Sequence, residues 1–121
     1  MPVRRQFSSG ALEAALHEKR YGRAAPEDND KYMRVLEKDV DMLSVSYIGK
    51  PPQPRKFKIR FRDGSYRTVK VDQIKRVDSV TPAGHPNFVY YCYSEVDDRI
   101  IDYELRYFVR EMRWELYRVY E

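Results

Sequence analysis

The chain has 121 residues and a mass of 14.6 kDa, enough for one compact domain and too few for two ordinary ones. With 42% hydrophobic residues, 35% charged, seven prolines and five glycines, the composition excludes collagen-like and low-complexity chains. The formal net charge of +4 and the pI near 9.2 leave a polyanionic partner open, and the single cysteine excludes an internal disulfide, as suits a reducing compartment.

No run approaches the ~18 apolar residues of a membrane span. The start, residues 1–5, is basic but leads into no apolar signal core, so the expectation is a cytoplasmic protein without membrane contact. Residues 1–30 read as an arm. Ala11, Leu12, Ala15 and Leu16 fall at helical spacing, with Ser9 as N-cap, Glu13 in the first turn, Lys19 and Arg20 in the last and Gly22 as a stop. Residues 24–30, with Pro26, Glu27, Asp28 and Asp30, form a linker. So small an apolar face forms a stable helix only where something covers it, either a protein partner or a second copy of the chain.

Residues 31–121 read as a single β domain. Residues 31–37 fit a helical turn or a strand equally well, and residues 40–48 fit a strand that stops at Gly49. Three prolines in four positions make residues 50–54 a loop. Phe57, Ile59 and Phe61 then alternate with Lys56, Lys58, Arg60 and Arg62, the period-2 pattern of a strand with one buried and one wet face. Asp63-Gly64 predicts a two-residue type I′ turn, and residues 66–74 the returning strand, with Val69 and Val71 inward and Thr68 and Lys70 outward. Residues 81–87 are a loop. Residues 88–95 are apolar on both phases, which suits a central or covered strand. After a turn at residues 97–99, Ile101, Tyr103, Leu105, Tyr107 and Val109 mark a one-sided strand. Arg110-Glu111 turns the chain, and Met112, Trp114 and Leu116 open the last strand. The expected fold is mainly β: a small antiparallel barrel or strongly twisted sheet of five to six strands, with a short N-terminal helix. The 11 tyrosines and five phenylalanines, mostly in the second half, agree with it.

Charge divides the chain. Residues 50–76 hold ten Lys and Arg against Asp63 and Asp72, a net charge of +8, whereas residues 77–121 carry −4. A basic hairpin face made of Lys56, Lys58, Arg60, Arg62 and Lys70 attracts DNA or RNA. Tyr91 and Tyr93, among the strand tyrosines, can stack unpaired bases. The same residues also suit a solvated strand face that resists aggregation and ordinary cross-strand packing.

Catalytic chemistry is thin. The two histidines, His17 and His85, lie far apart in sequence, and no Cys or His stands at metal-ligand spacing. Cys92 sits mid-strand among aromatics and reads as a buried small hydrophobe. No phosphate-binding or nucleophile-elbow motif occurs. The expectation is a non-enzymatic binding module without cofactor or metal. It binds nucleic acid through the hairpin or, alternatively, acts in protein interaction or assembly through the N-terminal helix and the sheet surface.

Phe61-Arg62-Asp63-Gly64-Ser65-Tyr66, Val71-Asp72-Gln73-Ile74 and the Ser79 to Gly84 stretch resemble a family of short bacterial proteins of unknown function, common in Firmicutes. Val89-Tyr90-Tyr91-Cys92-Tyr93 is similar to that family's next strand. Tyr103-Glu104-Leu105 and Trp114-Glu115-Leu116-Tyr117-Arg118-Val119-Tyr120 resemble the ending of a related one. The likeness covers about residues 40–121. Phe61 stands where the pattern usually has tryptophan, and the proline-rich loop is additional. The resemblance implies a small β domain and no particular activity.

Overall fold

The computed structural model describes residues 33–120. The expected helix within residues 9–20 and its linker lie outside the described residues. Seven strands follow one another: β1 (Met33–Val45), β2 (Gln53–Arg60), β3 (Tyr66–Lys70), β4 (Gln73–Val80), β5 (Asn87–Val96), β6 (Arg99–Phe108) and β7 (Arg113–Tyr120). They form one antiparallel sheet in the order β3-β2-β1-β7-β6-β5-β4, curled into a half barrel. The mainly β, barrel-like expectation holds, with seven strands in place of five or six. No helix among the described residues is long and apolar enough to cross a membrane.

The extra strand comes from a bend. The ladder registers make β3 and β4 run in the same direction, separated only by Val71 and Asp72. They are two halves of one course of chain: the first pairs with β2, the second with β5 on the far edge of the sheet. Val71 N–H still reaches Arg55 O of β2 at 2.8 Å, while Asp72 N–H reaches Tyr93 O of β5 at 3.2 Å. Strands that switch partners at such a corner let a sheet fold back on itself. The strand expected over residues 66–74 therefore ends at Lys70, and Ile74 belongs to the opposite edge, facing Cys92. Val69 and Val71 point inward and Thr68 and Lys70 outward, as the alternation requires.

Two further corrections concern turns and prolines. Gly64 alone takes a positive φ, +92°, while Gly64 N–H bonds Phe61 O and Phe61 N–H bonds Ser65 O. The hairpin loop is thus three residues long, a turn ended by a glycine bulge, and not a two-residue type I′ turn. That type of turn occurs instead at Asp97-Asp98, where both residues have positive φ between paired Val96 and Arg99. Pro54, expected in a loop, is buried inside β2. It is tolerated because the β1–β2 register shifts there: Leu43 faces Lys56 and Ser44 faces Pro54, leaving Arg55 as the extra residue of a bulge. Met112 lies in the turn before β7 and is 79% exposed.

The concave face carries the core. Phe57, Ile59, Val69, Cys92, Ile101, Tyr103, Leu105, Leu116 and Val119 are each at most 2% exposed. Phe57 meets Tyr103 edge-on at 5.6 Å, and Trp114 lies against Tyr107 and Tyr90 at 4.7 and 5.2 Å. Tyr90 donates its hydroxyl hydrogen to Pro52 O, which fastens the proline-rich segment across one end of the barrel.

Candidate nucleic-acid interface

The hairpin β2–β3 places its cations as the alternation demands. Lys56, Arg60 and Lys70 are exposed and Lys58 is half-buried, all on the face away from Phe57 and Ile59, while Arg62 is exposed in the loop that follows β2. Across the ladder Lys56 faces Lys70, Lys58 faces Thr68 and Arg60 faces Tyr66. Lys56 and Lys70 have no acidic partner among the described residues. Arg60 is tied to Asp41 of β1 at 3.3 Å, an exposed pair of small energetic weight. Lys58 holds its ammonium 4.4 Å above the Tyr66 ring. Arg62 stands apart in the loop, next to Asp63, whose carboxylate accepts from Ser65 N–H at 2.9 Å and Ser65 Oγ at 2.6 Å. Those bonds hold Asp63 below the ordinary carboxylate range. The acids of residues 95–121 do not enter the ladders of β2 and β3, whose neighbour is β1.

The bulge adds a cation that alternation hides. Arg55 and Lys56 are consecutive yet both exposed, and Arg55 donates to the Tyr47 hydroxyl at 3.0 Å. A one-residue irregularity in a ladder leaves no mark on a period-2 pattern, so nothing but Pro54 beside it signals the change of phase. Lys50 approaches from the proline-rich loop, and with Arg55 it lines a cleft of about 420 Å³ between β2 and β4.

Tyr91 and Tyr93 are not part of this face. Both lie half-buried on β5, between β4 and β6. The Arg76 guanidinium covers the Tyr91 ring at 4.2 Å, and hydrogen bonding to Tyr91 raises the Arg76 pKa. The aromatics beside the cations are Tyr66, 47% exposed, and Tyr47, 48% exposed. Their isolated positions at a strand start and in a loop gave no stacking pattern in the sequence.

Elsewhere the outer surface of β6 and β7 is neutralised within itself. Glu104, 1% exposed, accepts from Arg106 and Arg118 at 3.0 and 2.9 Å, and both guanidinium groups lie over the Tyr117 ring. Cys92 is fully buried, and burial pushes its thiol up to about 12, the opposite of an activated nucleophile. No group of three or more His, Cys, Asp or Glu among the described residues is arranged to hold a metal. No protein-family model matches the chain, and no curated protein or solved structure does so either.

Proposed function

We propose that this protein is a non-enzymatic binding module that holds nucleic acid by its phosphates on the outer face of the β2–β3 hairpin. The observation that carries the reading is the direct opposition of Lys56 and Lys70 across the ladder. Like charges facing each other cost stability, up to about 1 kcal/mol, and no acid between them offsets it. A bound polyanion removes that repulsion. Lys58 and Arg60 extend the row by roughly 13 Å along β2, and Tyr66 and Tyr47 give unpaired bases a ring to stack on. The likeness of residues 40–121 to bacterial proteins of unknown function adds no activity.

The test is binding of labelled single-stranded DNA and RNA across a salt series. About four phosphate contacts give a log–log slope near −3 to −4. Lys56→Glu with Lys70→Glu should abolish binding and leave the melting temperature nearly unchanged, since the opposed pair remains one of like charges. Binding that ignores salt or survives the double reversal refutes the reading. Absence of any binding to DNA or RNA refutes it too and favours a protein-interaction module.

A further inference from the structure

We propose that the open end of the barrel beside the proline-rich loop binds a single nucleotide, its base against a row of aromatic rings and its phosphate at Lys50.

The row follows from alternation and register. Phe88 pairs with Tyr107 and Tyr107 with Trp114, so β5, β6 and β7 each place one ring side by side against the core. One row deeper, Tyr90, Leu105 and Leu116 hold the same phase and are at most 1% exposed. Phe88 and Tyr107 stay half-buried because β5 begins at Asn87 and β6 ends at Phe108, so no further row of the sheet covers them. The cavity beside them measures about 670 Å³, within the ordinary range for a small ligand. From the loop, Pro51 and Pro52 line it too, and Pro52 O is held by the Tyr90 hydroxyl. This side is preset. Gly49 at a φ of +74° and the Lys50 N–H bond to Tyr47 O at 3.2 Å close the turn that delivers the two prolines.

Three features of the lining set the class of ligand. Tyr107 and Trp114 lie 4.7 Å apart and 34° from parallel, a surface that favours a planar ring over a branched chain. Ser44 and Ser46 bring hydroxyls, which donate and accept and so suit the polar edge of a base. A hydrocarbon ring would make no use of them. Among the described residues that line the cavity Lys50 is the one charged group, with no acid beside it, so the ring should carry an anion. A nucleotide combines the three, whether free or unpaired within a strand. The site lies on the core side of the sheet, away from the outward cations of the hairpin, and does not rest on their binding nucleic acid.

The other candidate occupant is the chain itself. Ser44 stands near the far end of β1 from Met33, about 36 Å away, and residues 1–32 are long enough to span that distance. Their apolar positions Leu12 and Leu16 are aliphatic, which suits the aromatic row less well than a flat ring does.

Trp114 is the only tryptophan and lines the cavity, so its fluorescence, with calorimetry beside it, reports occupancy in the full chain. Adenosine 5′-monophosphate should bind saturably and change the Trp114 signal. Adenosine should bind at least tenfold more weakly, and ribose 5-phosphate should leave the signal unchanged. Lys50→Glu should weaken the nucleotide at least tenfold and adenosine less than twofold. Ser46→Phe, which fills the mouth from an exposed position, should weaken both at least tenfold, with the melting temperature showing that the fold is kept. Lys56→Glu with Lys70→Glu should leave nucleotide binding within twofold, which separates failure here from failure of the hairpin reading. An end-blocked oligoadenylate that reproduces the Trp114 change identifies the source as a strand, and a response to the mononucleotide alone identifies it as free; both support the proposal. No binding, or binding indifferent to Lys50→Glu and Ser46→Phe, overturns it. Binding that emerges only after Leu12→Glu with Leu16→Glu assigns the cavity to the chain's own arm and overturns it as well.

Discussion

Replacing Ser94 should cost more than its size suggests, because it fastens the corner on which the half barrel depends. Ser94 is 1% exposed, and its Oγ donates to Lys70 O at 2.6 Å, at the end of β3. A carbonyl can only accept, so the single serine proton is spent there. The neighbouring Tyr103 hydroxyl, 2% exposed, must then donate to Ser94 Oγ. Removing the tyrosine hydroxyl leaves Ser94 satisfied through Lys70, and Tyr103→Phe should cost about 1 kcal/mol, the net worth of one neutral hydrogen bond. Removing the serine hydroxyl strands both the Tyr103 O–H and the Lys70 carbonyl, at about 1–3 kcal/mol for each orphaned group, so Ser94→Ala should cost about 3 kcal/mol. In the double variant the phenol orphan disappears, and the cost should fall to about 2 kcal/mol, below that of Ser94→Ala alone.

Urea unfolding followed by the fluorescence of the sole tryptophan, Trp114, reads these differences. With a slope of about 1–3 kcal/mol per molar urea, 3 kcal/mol moves the midpoint by about 1–3 M. Equal losses for the two single variants, or a double variant at their sum, refute the relay of donors and with it the account of the corner.

Cys92 should react with DTNB slowly in the native protein and rapidly in denaturant, since its thiol is buried and its pKa is pushed up to about 12. Glu104→Gln should destabilise by about 2 kcal/mol in urea, because it leaves two arginines, 27% and 29% exposed, facing a neutral group. Burial, assisted by Glu37 and Asp39 against Arg113 and Arg106, raises the Glu115 pKa. The folded state then holds that proton more tightly than the unfolded chain, so this residue's contribution falls as pH rises through the carboxylate range, and Glu115→Gln should gain on the native chain between pH 4 and pH 7. Among the described residues the core runs from Leu36 to Val119, and its strands supply their own alternating apolar face, so a chain starting at Lys31 should melt within a few degrees of the full one in calorimetry.

The strands legible in the sequence are those whose inward side chains alternate without interruption. β2 and β6 show this, and Phe57, Ile59, Ile101, Tyr103 and Leu105 are buried as their phase requires, while β5 was legible as a strand covered on both sides, with Val89, Tyr90 and Cys92 all buried. β1 is obscured by a bulge. Leu36 and Glu37 together oppose Tyr117, with Glu37 at a φ of +49°, which is why the segment ending at Glu37 fits a helical turn and a strand equally well. The same kind of irregularity breaks β7, where Leu116 and Val119, three residues apart, both point inward. β4 shows no pattern because no residue in it is buried; an edge strand bordering an open cleft has no dry face for selection to mark. For the candidate site, Lys56, Lys58, Arg60 and Lys70 were legible because alternation sets their face. Which aromatics share that face depends on long-range pairing, so a sequence pattern that singles out Tyr91 and Tyr93 leaves Tyr66 and Tyr47, which stand beside the cations, unmarked.

Pro54 connects the expectation that failed with the features that matter most. A proline there argues for a loop because it cannot donate to a ladder. The chain meets that constraint differently, by slipping register so that Arg55 becomes an extra residue. The slip turns Arg55 outward beside Lys56, which concentrates positive charge where β2 faces Lys70. On the other edge of β2, the Arg55 carbonyl takes Val71 N–H as its last partner before the chain bends away to β5. A cleft opens beyond that bond, with Arg55 in its lining. The basic face and the cleft therefore adjoin at Arg55, because the residue that the slip turns outward is also the one at which β2 and β3 part.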